Sequence, residues 1–367
     1  MNDVVDMTGA VETVVENIPI IAMVLAGFYA IAIICAVREI SASRTSQGSI
    51  AWLVSLAFLP FPTTIIYLVF GWKHFDSYAR TRMQVRASRL IRSEDLAVID
   101  RDAGAQWPVQ RRAAGMPFLA GNAAELLVDG DATFESIFEG IAAAKTYIFV
   151  QFYILRADAL GQRLAAALME RARAGVAVYL LYDDVGSSGL SHEYKDRMRA
   201  EGIKIFGFNH RHKFLRLFGP MRINYRNHRK SVVVDGKAAW TGGANIGVEY
   251  LGEDERFGPW RDTQLKLEGP AASSVALIFQ EDWLWATGEV LDVPPPDPVD
   301  EPGHVSALVM ATGPADKLEA CAIAFADVIG QAQQRLWIVS PYFVPDTDMR
   351  TALYAAILRG VDVRIML

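Results

Sequence analysis

Cysteine is scarce: the 367 residues hold two, Cys35 inside an apolar run and Cys321 in a later helical pattern. Two thiols so differently placed argue against a disulfide framework and against a cysteine-based zinc site. Basic charge is missing from the beginning, where Asp3, Asp6, Glu12 and Glu16 all precede the first base, Arg38. A cleaved signal peptide opens on positive charge and has a shorter apolar region, so the expectation is a retained membrane segment. Charge of either sign is missing from Ile18 to Val37, 20 residues, and from Ile50 to Phe70, 21 residues. Each run is long enough to cross ~30 Å of hydrocarbon at ~1.5 Å per residue. Trp52, Tyr67 and Trp72 stand near the ends of the second run, where interfacial aromatics belong. Acid is missing between Gly202 and Val234, a stretch that holds eight bases: Lys204, Arg211, Lys213, Arg216, Arg222, Arg226, Arg229 and Lys230.

What is present is apolar for a chain of this length. Hydrophobic residues make up 52%, mean hydropathy is +0.18 and the formal net charge is −6. Two spans, 18–37 and 50–70, account for much of that apolarity. They place the tail of residues 1–17 and the large C-terminal part on one side of a membrane. The connection between them carries Arg38 and Arg44, whereas Lys73, Arg80, Arg82, Arg86, Arg89 and Arg92 follow the second span. The positive-inside tendency therefore predicts a multi-pass protein with a cytoplasmic C-terminal part.

Residues 71–115 are polar and rich in Arg and Ala, which reads as a juxtamembrane linker suited to anionic headgroups. Beyond it the pattern alternates: helix near 132–144, strand 146–154, helix 160–174, strand 177–182, helix 193–200. That is βαβ construction. "VAVYLLYDD" after Gly175 has the continuous apolar character of a strand covered on both faces. "VPPPDPVDEPG", 293–303, is Pro-rich and acidic and reads as a linker.

An internal repeat follows. "KTYIFVQFYI" from Lys145 is echoed by "RLWIVSPYFV" from Arg335, and "GVAVYLL" from Gly175 by "GVDVRIML" from Gly360. The second copy trails by 190 positions at its start and 185 later. A counterpart of His228 is then expected at about position 413, so the second copy is read as breaking off before it.

The chemistry gathers in "NYRNHRKSVVVDGKAAWTGGANIG", 224–247. In a β-branched strand His228 and Lys230 project to one face and Arg229 to the other. Lys230 suits a phosphate oxygen as a point charge, and neutral His228 suits attack on phosphorus with a covalent phosphohistidine. Gly242 and Gly243 permit a tight turn with exposed N–H groups, and Asn245 adds a side-chain donor, so this corner suits phosphate oxygens. Asp235 begins an Asp-Gly pair between apolar runs, an ordinary hairpin signal.

His228-x-Lys230-x4-Asp235-x6-Gly242-Gly243-x-Asn245 resembles the HKD motif of the phospholipase D superfamily. With the two apolar runs, "FYILRADALG", "PWRDTQLKLEGPA" and "SPYFVPD", the chain looks like the bacterial cardiolipin synthases of that superfamily from about residue 18 onward. The resemblance implies an α/β fold: two transmembrane helices, a first phospholipase D-like lobe at 116–292 with a mixed sheet flanked by helices, and an incomplete second lobe at 304–367. In such an enzyme each lobe supplies one HKD motif to a shared site, without metal or organic cofactor. One histidine takes up the phosphatidyl group of phosphatidylglycerol, releasing glycerol, and a second phosphatidylglycerol resolves the intermediate to cardiolipin. The resemblance implies His228 as nucleophile candidate, Lys230 as phosphate clamp, Asn245 as oxygen donor and Asp235 as supporting carboxylate. It also implies phosphatidylglycerol and other anionic phospholipids as partners and the bacterial inner membrane as location.

The absent second motif leaves alternatives open. Water in place of a lipid hydroxyl gives a hydrolytic phospholipase D, and an inactive site leaves a noncatalytic anionic-lipid binder. A single-motif chain would need to pair two His228 residues in a homo-oligomer. Some HKD proteins are nucleases, but two spans are unusual company for nucleic acid, and none is expected as partner. The basic stretch, with "KFLRLF" from Lys213, suits a lipid interface. His210 and His212 have no nearby carboxylate or cysteine and are not read as metal ligands. Trp260, Arg261 and Asp262 either border the site or form a structural ion pair, and Trp283 and Trp285 read as core or interface aromatics.

Overall fold

The computed structural model describes residues 7–41, 46–71, 76–89, 98–208, 226–295, 303–313, 315–316 and 318–367. Outside them lie most of the basic stretch with His210 and His212, the greater part of the Pro-rich 293–303 segment, Arg44, Lys73, Arg92 and the first six residues. The described residues fall into two compact units, divided near residue 75.

The first unit is helical: α1 (Met7–Ser41), α2 (Ser46–Phe58) and α3 (Pro60–Phe70). Asn17–Ser41 within α1 is the single helix, among the described residues, long and apolar enough to cross a membrane. Its 25 residues extend ~37 Å at ~1.5 Å per residue, and Ile33, Ile34 and Val37 face outward, each more than half exposed. The second expected span, 50–70, is corrected: the apolar run is two helices of 13 and 11 residues. Leu59, at φ −132° and ψ 58°, leaves the helical conformation before Pro60. Proline has no N–H to donate and crowds the residue before it, so the apolar run cannot continue as one regular helix. Where the helices α1 to α3 meet, Ala32, Cys35, Leu56 and Tyr67 are buried together. Beside them lies a buried carboxylate, Glu39, which accepts from Ser49 Oγ at 2.9 Å and Tyr67 OH at 3.0 Å.

The second unit starts with α4 (Asp76–Arg89), α5 (Arg101–Gln106) and α6 (Pro108–Ala114). Residues expected as a linker thus include α4, which packs on a helix of the main fold through Tyr78, Arg82 and Arg86, as shown below. Then follow β1 (Leu119–Val128), α7 (Asp129–Ala143), β2 (Tyr147–Phe152), α8 (Ala159–Arg173), β3 (Ala177–Tyr182), α9 (His192–Ala200) and β4 (Lys204–Gly207). After the undescribed stretch come β5 (Ser231–Val234), β6 (Ala238–Gly242), β7 (Thr263–Glu268), α10 (Pro270–Thr287) and β8 (Val305–Ala307).

These strands form one mixed sheet in the order β4-β3-β2-β5-β6-β7-β1-β8. β2, β3 and β4 are parallel, and β5 joins β2 antiparallel with Gln151 opposite Ser231. β2 is buried at every position, because helices cover both of its faces. On one face Ile148, Val150 and Phe152 pack with Phe134, Ile137 and Ile141 of α7 and Leu164 and Leu168 of α8. On the other, Phe149 stacks on Phe279 of α10 with ring centroids 4.5 Å apart, and Trp283 packs edge-on against Tyr179.

A second, two-stranded parallel sheet joins β9 (Arg335–Val339) to β10 (Asp362–Met366), between which runs α12 (Thr347–Leu358). With α11 (Ala320–Gln331) in front, the order helix–strand–helix–strand repeats that of α7, β2, α8 and β3. One face of the pair is covered: Leu336, Ile338 and Val363 pack on Ile329, Leu353 and Ala356.

Candidate functional site

Parallel strands β2 and β3 end at Phe152 and Tyr182, and antiparallel β5 begins beside those ends. The segment 226–230 therefore lies at the carboxyl edge of the parallel strands, where open α/β sheets place their ligands. His228 is exposed there, and Lys230, two positions on, is 6% exposed. Lys230 Nζ donates to the His228 carbonyl at 2.7 Å and lies 3.1 Å from Nδ1 and 3.2 Å from Nε2 of the ring. Tyr153, just past β2, backs both: its ring is 4.7 Å from the imidazole and 5.5 Å from the ammonium.

Charge follows from this crowding. Burial and the neighbouring Lys230 ammonium hold His228 below the ordinary histidine range, against an opposing pull from Asp183. Burial pushes Lys230 down to about 8, with Asp262 acting the other way. At neutral pH the pair is a free imidazole base beside an ammonium, the protonation state that attack on a phosphodiester needs.

The glycines arrive on the adjacent strand. Ser231 pairs with Thr241, so Gly242 and Gly243 come alongside Lys230, and Thr241 Oγ1 donates to the Lys230 carbonyl at 3.0 Å. Both glycines are exposed, and neither has room for a side chain. A methyl group on Gly242 would collide with Gln264, and one on Gly243 with the Asp262 carboxylate. Close approach of β7 and its preceding loop, more than turn geometry, is what requires them.

Asp235 is elsewhere. It sits at the opposite end of β5, at φ 53°, where its carboxylate accepts from the N–H groups of Lys145, Thr146 and Tyr147 and from Thr146 Oγ1, at 2.7 to 2.9 Å. Those donors hold its carboxyl below the usual range despite partial burial. Asn245 lies just beyond the glycines but is 4% exposed: Oδ1 accepts from Ile154 N at 3.0 Å, and Nδ2 meets Tyr250 OH at 2.6 Å. The structure thus brings together His228, Lys230, Gly242 and Gly243, sets Asn245 behind them and places Asp235 apart. Asp262 joins the corner through its influence on Lys230 and a 3.3 Å contact with Trp260 Nε1, while Arg261 turns to Asp129.

One group near the site was missed by reasoning from sequence. Asp282 of α10 is fully buried and receives donors from both neighbours of His228. Its signal was present in "FQEDWLW", two successive acids within an apolar helix, where an unpaired carboxylate would be costly.

A mixed sheet with a His-x-Lys segment leading into a strand at the carboxyl edge of its parallel strands, answered by a Gly-Gly corner, has the make-up of a phospholipase D-like protein. The comparisons narrow this. Residues 137–268 and 325–367 match the family described as "Cardiolipin synthase, PLD-like domain", and residues 28–72 match "Phospholipase_D-nuclease N-terminal". Cardiolipin synthase A of Pseudomonas aeruginosa (strain LESB58) is 42% identical over 357 residues, covering 95% of this chain and 72% of that protein. Cardiolipin synthase A of Pseudomonas fluorescens (strain SBW25) is 41% identical over 358 residues, covering 95% and 74%. Among solved structures, phosphatidylserine synthase of Haemophilus influenzae Rd KW20 is similar at a TM-score of 0.49 and 20% identity, over 70% of this chain and 65% of that one. The chain belongs to the cardiolipin synthase family of the phospholipase D superfamily.

Proposed function

We propose that this protein is a membrane-bound phosphatidyltransferase that makes cardiolipin from two molecules of phosphatidylglycerol. The observation that carries the chemistry is the exposed His228 imidazole, with both ring nitrogens within 3.2 Å of the buried Lys230 ammonium. In the first step a His228 ring nitrogen bonds to the phosphorus of phosphatidylglycerol as the bond to the glycerol oxygen breaks. Glycerol leaves with a proton, and the phosphatidyl group stays on the histidine. Lys230 turns from the His228 ring to a nonbridging oxygen, and the exposed Gly242–Gly243 backbone offers further donors where negative charge grows. In the second step the hydroxyl of another phosphatidylglycerol attacks the same phosphorus, passing its proton back to the group that protonated the departing glycerol, and frees the imidazole.

Asp235 fixes the far end of β5, a role in the fold that leaves the chemistry itself to the other residues, and Asn245 holds the Gly-Gly corner to the end of β2. The leaving glycerol needs a general acid, and a second His-x-Lys provided by a lobe continuing from β9 and β10 would meet that need. The division proposed is a membrane segment through residue 70, a connecting region of 71–115, a first lobe of 116–292, a linker of 293–303 and a second lobe starting at 304. The placement is the bacterial inner membrane, with the lobes on the cytoplasmic side by their Lys and Arg count.

Lipid analysis of membranes expressing the intact protein tests this. Cardiolipin should accumulate with the native sequence and fall to background with His228→Ala. Phosphatidic acid without cardiolipin would make the protein a hydrolase.

A further inference from the structure

The segment carrying His228 has two faces, and the chemistry above uses one. Asn227 and Arg229 alternate to the other face. There both reach a single carboxylate, Asp282, which lies on α10 at 0% exposure. Arg229 Nη1 donates to both Asp282 oxygens at 2.6 Å, and Asn227 Nδ2 donates at 2.9 Å. Gln151 Nε2 of β2 adds a bond of 2.7 Å and Tyr78 OH of α4 one of 2.5 Å. Tyr78 OH in turn accepts from Arg229 Nη1 at 2.8 Å. Asn227 is held a second way, its N–H donating to Asp183 at 2.9 Å and its Oδ1 accepting from Arg229 N at 3.1 Å.

The result is a clamp on the residues immediately before and after the histidine. Burying a carboxylate and an arginine together is expensive, and apolar residues of equal volume generally serve stability as well or better. On α10, whose other buried residues are mostly apolar, such a cluster calls for a reason beyond packing. Its position supplies one. Desolvation opposes the charge on Asp282, yet Arg229 and the surrounding donors keep the carboxyl below its usual range, so the clamp stays ionised through neutral pH.

We propose that Asp282 is a positioning residue of the phosphotransfer site, gripping Asn227 and Arg229 from behind and so fixing the direction in which His228 meets phosphorus. The proposal rests on the reading of His228 as nucleophile. Asp282 touches no reacting atom. It acts through the backbone on either side of the imidazole, where an error of about 1 Å in placement costs on the order of 100-fold in rate.

The test uses the intact membrane protein in phosphatidylglycerol vesicles, with rates normalised to folded protein by thermal melting. Asp282→Asn keeps the shape and loses the charge. It is expected to lower kcat about 100-fold with KM changed less than about twofold. Trp283→Phe, at a neighbouring buried position on α10, is the control: a lower melting temperature with kcat per folded molecule unchanged. Asp282→Asn that melts earlier but turns over normally per folded molecule would overturn the proposal, leaving Asp282 a packing residue. If Asp282→Asn yields no folded protein, Tyr78→Phe decides. A fall in kcat of roughly tenfold at constant KM supports the clamp, and an unchanged kcat overturns it. His228→Ala is run in parallel; wild-type turnover there would remove the nucleophile reading itself, and the proposal with it.

Discussion

At the scale of single residues, the informative pair is His228 and Lys230, because burial discourages charge on both and the Lys230 ammonium discourages it further on His228. The proposed mechanism needs His228 without its proton and Lys230 with one. The acid limb of kcat/KM should therefore fall below the ordinary histidine range, since His228 is depressed, and activity should be lost as pH drops through that value. The alkaline limb should fall near 8, where Lys230 gives up its proton in the free enzyme. Bound phosphodiester favours the ammonium, so the same limb in kcat should move upward. Lys230→Arg should abolish the alkaline limb up to about pH 10, at a rate roughly 10- to 100-fold lower, because a planar guanidinium does not reproduce a compact ammonium. A pH profile with no alkaline limb near 8 in the native protein would remove Lys230 from the charged role. Asp282 shows why a residue can matter and still escape a reading of sequence. The alternation at His228 and Lys230 is local and legible, whereas the pairing of Asp282 with Arg229 joins positions 53 apart and exists only once α10 lies on the sheet.

At the scale of elements, β5 is fastened at both ends, by Asp282 behind its start and by Asp235 at its finish. Asp235 binds three N–H groups and a hydroxyl at the entrance to β2. Asp235→Ala removes those bonds but leaves most of the donors to water, so it should cost about 1 to 2 kcal/mol in urea unfolding while leaving kcat per folded molecule near the native value. The folded carboxyl is depressed relative to the unfolded chain. Its contribution is thus present above the unfolded value and lost as pH falls through the folded one, so Asp235→Ala should show a shallower acid loss of stability. The strands β2 and β3 were legible because continuous apolar runs bounded by glycine have few other uses. The second membrane span was misread for an equally physical reason. Hydropathy counts Pro60 and Pro62 as compatible with a greasy segment, but it takes no account of the two amide hydrogens they remove.

At the scale of the whole second unit, the region after residue 303 is tied to what precedes it by the pairing of β8 with β1 and, beyond β8, by a few polar side-chain contacts. Arg82 of α4 reaches Asp316 at 2.6 Å, the Ala311 carbonyl at 3.2 Å and Glu281 at 3.4 Å. Gln110 of α6 donates to Asp327 at 2.9 Å and to the Ala324 carbonyl at 3.3 Å. Arg82→Ala should loosen this attachment, and limited proteolysis should cut between residues 296 and 318 several-fold faster, with the β2-to-β7 sheet remaining resistant. Equal cleavage rates would place the attachment in the β1–β8 pairing and apolar packing instead. The order α11, β9, α12, β10 could be anticipated from the repeat in sequence, because both copies use the same apolar strand and Ala-Leu-rich helix. Nothing in that repeat indicated Arg82, which was counted among juxtamembrane bases and instead serves as a strut.

The small sheet of β9 and β10 has a consequence for what it can pair with. Among the described residues each strand pairs only with the other, so both outer edges present unmatched backbone donors and acceptors. Trp337, Val339 and Met366 are 57%, 75% and 67% exposed on those strands. Two edges flanked by greasy side chains make a template for strand addition, the place where further strands of the same sheet would join.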